Sequence, residues 1–260
     1  MPSLNQSQYV EEAILSVVKQ EYPRLEFLVI DGGSTDGTLG IIEKYKDCID
    51  YFISEPDRCQ NHAVNKGLLR ASGDYIGWLN SDDKYAVGAL MKVGQYLNKH
   101  PDIGLLYGQA AQIDANGNIL GWHAEPYDKD RLFHYRDFIP TQACFFRREC
   151  LAYVGLLDTS LRWNGDWDLW RRIAKSYKVA YLDEHIGNWR VYQGTISYGR
   201  GVNNLARELE TLRSARKHSD LILTPIELKI WPWVVIDFFR LRPFLRWVRD
   251  RMRATGKSHG

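Results

Sequence analysis

Leu25-Glu26-Phe27-Leu28-Val29-Ile30-Asp31-Gly32-Gly33-Ser34-Thr35-Asp36-Gly37 is the stretch that decides the fold. An apolar run of strand length ends in a carboxylate and a glycine-rich turn, and Leu39, Ile41, Ile42 and Tyr45 then follow as in a helix. Upstream, Val10, Ala13, Ile14, Val17 and Val18 recur at helical spacing, and Pro23 separates them from the strand. Downstream come a short strand at Tyr51-Phe52-Ile53, a helix from Gln60 to Arg70 and a strand at Tyr75-Ile76-Gly77-Trp78-Leu79. Helices alternating with strands predict an α/β protein: a three-layer α/β/α sandwich on a mostly parallel sheet.

After a helix from about Ala86 to Asn98 the pattern changes. Two strand-like runs flank Asp114-Ala115-Asn116-Gly117-Asn118, and Asn-Gly is a strong hairpin signal, so the second half is read as mixed. A strand near Ala143 to Phe146, a helix from Asp166 to Ser176, and strands at Val179–Leu182 and Asn188–Tyr192 complete it. Leu205, Leu209 and Leu212 mark a further amphipathic helix. The chain therefore divides into a domain over 1–200 and a helical, basic and aromatic tail over 201–260.

With 260 residues, 45% of them hydrophobic, the chain can bury a full core. Its 34 Lys and Arg nearly balance 32 Asp and Glu, so no global field recruits nucleic acid. Four scattered cysteines form no CxxC pair and read as reduced thiols. No histidine spacing suits zinc, and no GxGxxG, GxxxxGK[ST] or GxSxG pattern supports a dehydrogenase, ATPase or hydrolase. The opening residues lack the basic and apolar regions of a signal peptide, so a cytoplasmic location is expected. From Pro225 onward, eight Lys and Arg face three acids. Leu241, Phe244, Leu245, Val248 and Met252 share one helical face there, so residues 225–253 are expected to contact the inner face of a membrane peripherally; a helix packed on the domain is the alternative.

In an open α/β sheet, ligands bind beyond the carboxyl ends of the strands. Asp31 and its glycine turn suit a base or ribose contact, and equally a plain turn with a helix cap. Asp82 and Asp83 follow a strand, where hard oxygen ligands could hold Mg²⁺ or Mn²⁺ against a diphosphate; a solvated turn is the other reading. The stretches holding Asp57 with Arg58 and Asn65 with Lys66 could bring the Arg and Lys to phosphates, or carry solvated loop charges. Trp163-Asn164-Gly165-Asp166-Trp167-Asp168-Leu169-Trp170 puts two acids at a helix start. They suit the helix dipole, or Asp166 acts as a general base beside a tryptophan platform for sugar rings. Two residues apart on a helix, the two acids face different sides, so only Asp166 is expected to face a cleft.

These residues together resemble the inverting family 2 glycosyltransferases of GT-A fold, from Pro2 to about Ser197. Pro2-Ser3-Leu4-Asn5-Gln6 is similar to the family's first loop, Val29 to Thr38 to its nucleotide turn, Trp78-Leu79-Asn80-Ser81-Asp82-Asp83 to its DxD region, and Gly165 to Trp170 to its base segment. The resemblance implies hexosyl transfer from a nucleotide sugar, most often UDP-linked, to a sugar or lipid-linked acceptor in cell-surface polysaccharide or glycolipid synthesis. It implies donor contacts from Pro2, Ser3, Asn5, Asp31, Gly33, Ser34 and Ser81, metal ligation by Asp82 with Asp83, and deprotonation of the acceptor by Asp166.

The chain departs from the family pattern in several places. Asn80 takes the first acidic position of DxD, Gly32 stands where many members carry a second Asp, Cys59 where relatives have Gly, and Tyr192 where many place a metal-holding His. Met1 stands where the family's first, central strand would precede the Pro-Ser loop, so a truncation and a gap in the sheet are expected. A catalytically impaired sugar-nucleotide-binding or carbohydrate-binding protein on the same fold is the alternative function.

Overall fold

The computed structural model of the chain describes residues 1–134, 137–195, 210, 211, 214 and 217. Strands β1 (Pro2–Ser3), β2 (Leu28–Asp31) and β3 (Tyr51–Ser54) form a parallel sheet in that order. A second sheet holds β4 (Tyr75–Gly77), β5 (Lys84–Tyr85), β6 (Ile103–Ile113), β7 (Ile119–His123), β8 (Cys144–Arg147) and β9 (Lys178–Arg190). Its order is β4-β8-β6-β9-β5, with β7 also against β6. There, only β6 and β9 run parallel. The α/β class holds, and the sheet is mixed, with antiparallel pairs as prominent as parallel ones.

Helices α1 (Val10–Val18), α2 (Thr38–Lys44), α3 (Gln60–Arg70), α4 (Ala89–Lys99), α5 (Lys129–His134), α6 (Glu149–Val154) and α7 (Gly165–Ser176) cover this framework. Side chains of a strand alternate between its faces, and the two cores follow that rule. Leu105 and Tyr107 of β6, with Cys144 and Phe146 of β8, pack under α3, α5, α6 and α7. Leu106, Ala110 and Phe145 pack on the other face under α1, α2 and α4. Three layers result, as expected.

The differences lie in short or interrupted elements. The two strands expected at Val179–Leu182 and Asn188–Tyr192 are one strand, β9, whose register against β6 shifts near Gly108 and Gln109. Asp183 and Glu184 read as a break because they are exposed, yet the backbone continues through them. β1, β5, α5 and α6, two to six residues each, are too short for periodicity to reveal.

The expected gap at the first strand is narrower than the sequence implied. The Met1 amino group donates to the Leu28 carbonyl at 2.7 Å, Ile30 N–H to Met1 O at 2.9 Å, and Gly32 N–H to Ser3 O at 2.8 Å. Polar groups along β2 are thereby occupied, although no ladder among the described residues joins β1 to the second sheet. Of the tail, Glu210, Thr211, Ser214 and Lys217 are described, and each contacts the domain. The helix expected around Leu205, Leu209 and Leu212 and the amphipathic stretch 225–253 lie outside the described residues. No described helix is long and apolar enough to cross a membrane.

Candidate active site

Beyond the carboxyl ends of β1, β4 and β9 opens a cleft of about 960 Å³. Pro2, Ser3, Asp57, Arg58, Ser81, Asp82, Asp83 and Asp166 all line it. Asn5, Asp31, Gly33, Ser34, Asn65 and Lys66 do not.

The glycine turn accounts for much of that second group. Asp31 is fully buried, and its carboxylate accepts from Gly33 N at 2.9 Å, Ser34 N at 2.8 Å, Ser34 Oγ at 2.5 Å and Ser54 Oγ at 2.7 Å. It therefore shapes the turn, and the structure places this expected base contact behind the cleft wall rather than on it. Gly33 and Gly37 adopt φ of 87° and 99°, where a side chain would be strained. Asn5 Oδ1 accepts from Thr35 N at 2.8 Å while Asn5 N donates to Ser34 Oγ at 2.8 Å, so Asn5 and Ser34 tie the first loop to the turn instead of facing a ligand.

Asn65 and Lys66 are likewise taken up internally. Asn65 exchanges two hydrogen bonds with the Leu157 backbone, and Lys66 pairs with Glu55 at 2.7 Å and Asp57 at 2.8 Å. Asp57, held also by His62 Nδ1 at 2.7 Å, keeps its place on the cleft wall. Arg58 and Arg162 reach the cleft without an ion pair among the described residues, which leaves their charges available to an anionic ligand. Nothing in the sequence singled out Arg162.

The Asp82-Asp83 loop is built around Arg190, a side chain only 2% exposed. Its backbone N–H donates to Asp83 Oδ1 at 2.8 Å and its Nε to the Asp82 carbonyl at 2.9 Å. Its Nη1 binds Asp114 O and Ala115 O at 3.1 Å each, and Nη2 binds Glu12. Asn80 donates to Asp83 Oδ2 at 3.1 Å while its own oxygen accepts from Gln60 and Trp78. The residue at the first DxD position thus orients the loop. Asp83 is engaged by these contacts, and Asp82 Oδ2 accepts from the Tyr192 hydroxyl at 3.4 Å. Burial raises both carboxyls above the usual range, and Asp82 raises Asp83 further. Burial, then the Asp82 charge, also pushes Tyr192 up to about 12.

Two adjacent carboxylates, Asp83 buried and Asp82 half-buried, could accept a divalent cation, which would relieve their repulsion. No three His, Cys, Asp or Glu residues converge among the described residues. Asp82 and Asp83 could hold an ion only of the kind that takes one or two protein carboxylates and completes its shell elsewhere.

Opposite, Asp166 begins α7, accepting from Thr141 Oγ1 at 2.6 Å and Trp167 N at 2.8 Å. Asp168 is buried and paired with Arg172 at 2.8 Å. Trp167 and Trp170 are 1% and 0% exposed, so they are core, and of the segment's three tryptophans Trp163 lines the cleft, which narrows the expected platform to one ring. Trp189, set edge-on to His123 at 4.5 Å, adds a second aromatic wall.

Asp137 also lines the cleft and was not anticipated. Burial, then the Asp166 charge, raises its carboxyl well above the usual range. A raised folded-state value means the folded protein binds more protons, so stability falls as pH rises through it. Melting temperature should therefore decline less between pH 5 and 9 in Asp137→Asn than in the wild type; parallel curves would contradict this.

The cleft thus lies at the strand ends of an α/β sandwich, lined by carboxylates and by two arginines that have no ion pair among the described residues. The same architecture occurs in Staphylococcus aureus TarS 1-349 in complex with UDP-GlcNAc, at a TM-score of 0.65 and 18% identity over 85% of this chain and 66% of that one. It recurs in the Pyrobaculum calidifontis mannosyltransferase PcManGT in complex with GDP-Man and Mn²⁺, at 0.63 and 19%, over 88% of this chain and 65% of that one. The fold is GT-A. Residues 1–153 match Glycosyl transferase family 2, and the chain belongs to that family. A Mycobacterium bovis PGL/p-HBAD biosynthesis glycosyltransferase is 27% identical over 96% of both chains. An uncharacterized glycosyltransferase of Rickettsia typhi is 30% identical over 72% of this chain, which spans 60% of that relative's length.

Proposed function

We propose that the cleft moves a sugar from a UDP-type nucleotide sugar to an acceptor hydroxyl with inversion, in cell-surface glycolipid or polysaccharide synthesis. The observation that supports this reading is that one cleft is lined by the Asp82 loop, by Asp166, and by Arg58 and Arg162, which have no ion pair among the described residues. Asp166 takes the acceptor proton as the acceptor oxygen bonds the anomeric carbon and the bond to the leaving diphosphate breaks. Arg58 and Arg162 compensate the charge that develops on the diphosphate. Mg²⁺ or Mn²⁺ on Asp82, with Asp83 behind it, would supply further positive charge there. The name of the Mycobacterium bovis relative supports a glycolipid-type acceptor. The expected peripheral contact of residues 225–253 would bring the cleft beside a membrane-borne one.

Screening nucleotide sugars for sugar transfer, with Mn²⁺ or EDTA, tests the reading. Metal-dependent UDP release in the presence of acceptor is expected. Asp82→Ala should weaken UDP binding in Mn²⁺ by at least ~10-fold, since even losing a group that only orients a metal ligand costs about that much. UDP affinity indifferent to both metal and substitution would remove the metal from the reading. Nucleotide-sugar binding without turnover would leave a binding protein on the same fold.

A further inference from the structure

Glu210 lies beyond the family match, in the segment set apart as a tail. Its carboxylate is buried and receives three successive main-chain N–H groups: Arg162 at 2.9 Å on Oε2, then Trp163 at 2.7 Å and Asn164 at 2.9 Å on Oε1. Amides converging in this way form a nest for an anion, and here the chain's own carboxylate fills it. Asn164 Nδ2 also turns toward Glu210 at 3.4 Å and Thr211 Oγ1 at 3.3 Å, so the residue at the start of α7 makes no side-chain cap to its own helix.

The same loop is gripped from the other side. Asn61 Nδ2 donates to Asp158 O and Leu161 O at 2.9 Å each, and a Cβ on Gly165 would overlap the Asn61 amide. Glu210 itself does not line the cleft, whereas Arg162, Trp163 and Asp166, on or just after the loop it holds, all do.

We propose that Glu210 is a positioning residue for transfer: by clamping Arg162–Asn164 it aims Arg162 and Trp163 into the cleft and sets where α7 presents Asp166. The inference rests on the transferase reading above. It makes the C-terminal segment part of the working site. Small displacements of reacting groups cost large factors in rate, so the clamp acts on turnover more than on donor affinity.

The test uses full-length Glu210→Ala, Glu210→Gln and Glu210→Asp, with Lys217→Ala, which breaks an exposed pair to Asp158 at 2.9 Å, as control. Amide exchange at residues 162–164 should accelerate ~100-fold or more in Glu210→Ala, as befits losing bonds to a charged acceptor. UDP affinity should stay within about twofold, while kcat/KM for the acceptor falls ~30-fold or more. Glu210→Asp should recover part of both losses, Glu210→Gln less, and Lys217→Ala should match the wild type. If the alanine variant does not fold, the Gln and Asp variants carry the comparison. Folded variants with acceptor kinetics within about twofold of wild type would overturn the proposal. Should the wild type itself turn over no nucleotide sugar, the transferase reading fails, and unchanged exchange at 162–164 would separately overturn the clamp.

Discussion

Asp166→Asn is expected to lower transfer by ~10²- to 10⁴-fold, the range over which a positioned general base contributes. Thr141 Oγ1 donates to Asp166 Oδ2 at 2.6 Å and Trp167 N to Oδ1 at 2.8 Å. Asparagine keeps the size and one accepting oxygen, so the start of α7 should stay in place while proton-accepting power is lost. UDP affinity should therefore hold within about twofold, because a base acts on the transition state and not on the bound donor. Steady-state transfer assays beside UDP titration check both halves. Transfer retained within a few-fold would remove Asp166 from the reaction.

The second large effect is expected at Arg190. Its guanidinium, 4.5 Å from the centre of the Tyr9 ring, joins the carbonyls of Asp82, Asp114 and Ala115 to Glu12. Arg190→Ala removes the guanidinium from those carbonyls, leaves Glu12 to Lys84, and takes from the Asp82-Asp83 pair the positive charge that Arg190 supplies. Glu12 is 46% exposed, so the ion pair itself adds little, and the loss rests on the buried guanidinium's hydrogen bonds to carbonyls, where a bond to a charged group contributes ~1.5–3 kcal/mol. For a chain of this size, each kcal/mol moves the melting temperature by about 2–4 °C, so the change should be plain in thermal unfolding. Mn²⁺-dependent UDP binding should be lost with it. Lysine cannot substitute, since a single ammonium does not span acceptors on three segments. A variant within about 1 kcal/mol of wild type would show that the network is dispensable.

The architecture was readable from the sequence because its long elements repeat with the periods of helices and strands. α3 matches the expected Gln60–Arg70, and the Asn-Gly hairpin sits between β6 and β7. The direction in which a turn carboxylate points has no such signature, so the sequence does not reveal that Asp31 binds its own turn. The tryptophans could have been read better: Trp167, Trp170, Ile173 and Ala174 share one helical face, the mark of a core side. Asp137 and Glu210 were beyond reach. Asp137 sits in a loop without periodicity, and Glu210 meets amides 46 to 48 residues away, a pairing that only the fold creates.

β6 spends its first half on β8, through Leu105–Tyr107, and its second on β7, through Ala110–Ile113. The hairpin beyond it is thus an outgrowth of a core strand, fastened at its tip by the Arg190 bonds to Asp114 and Ala115. Along β7, Ile119, Leu120 and Trp122 face outward, 54%, 59% and 51% exposed. Such a part divides evolutionary freedom unevenly. Outward side chains can drift toward new acceptors at little cost to the core, whereas lengthening the tip would pull on the guanidinium that seats Asp82. Lineages on this scaffold should vary in the hairpin's wording and keep its length.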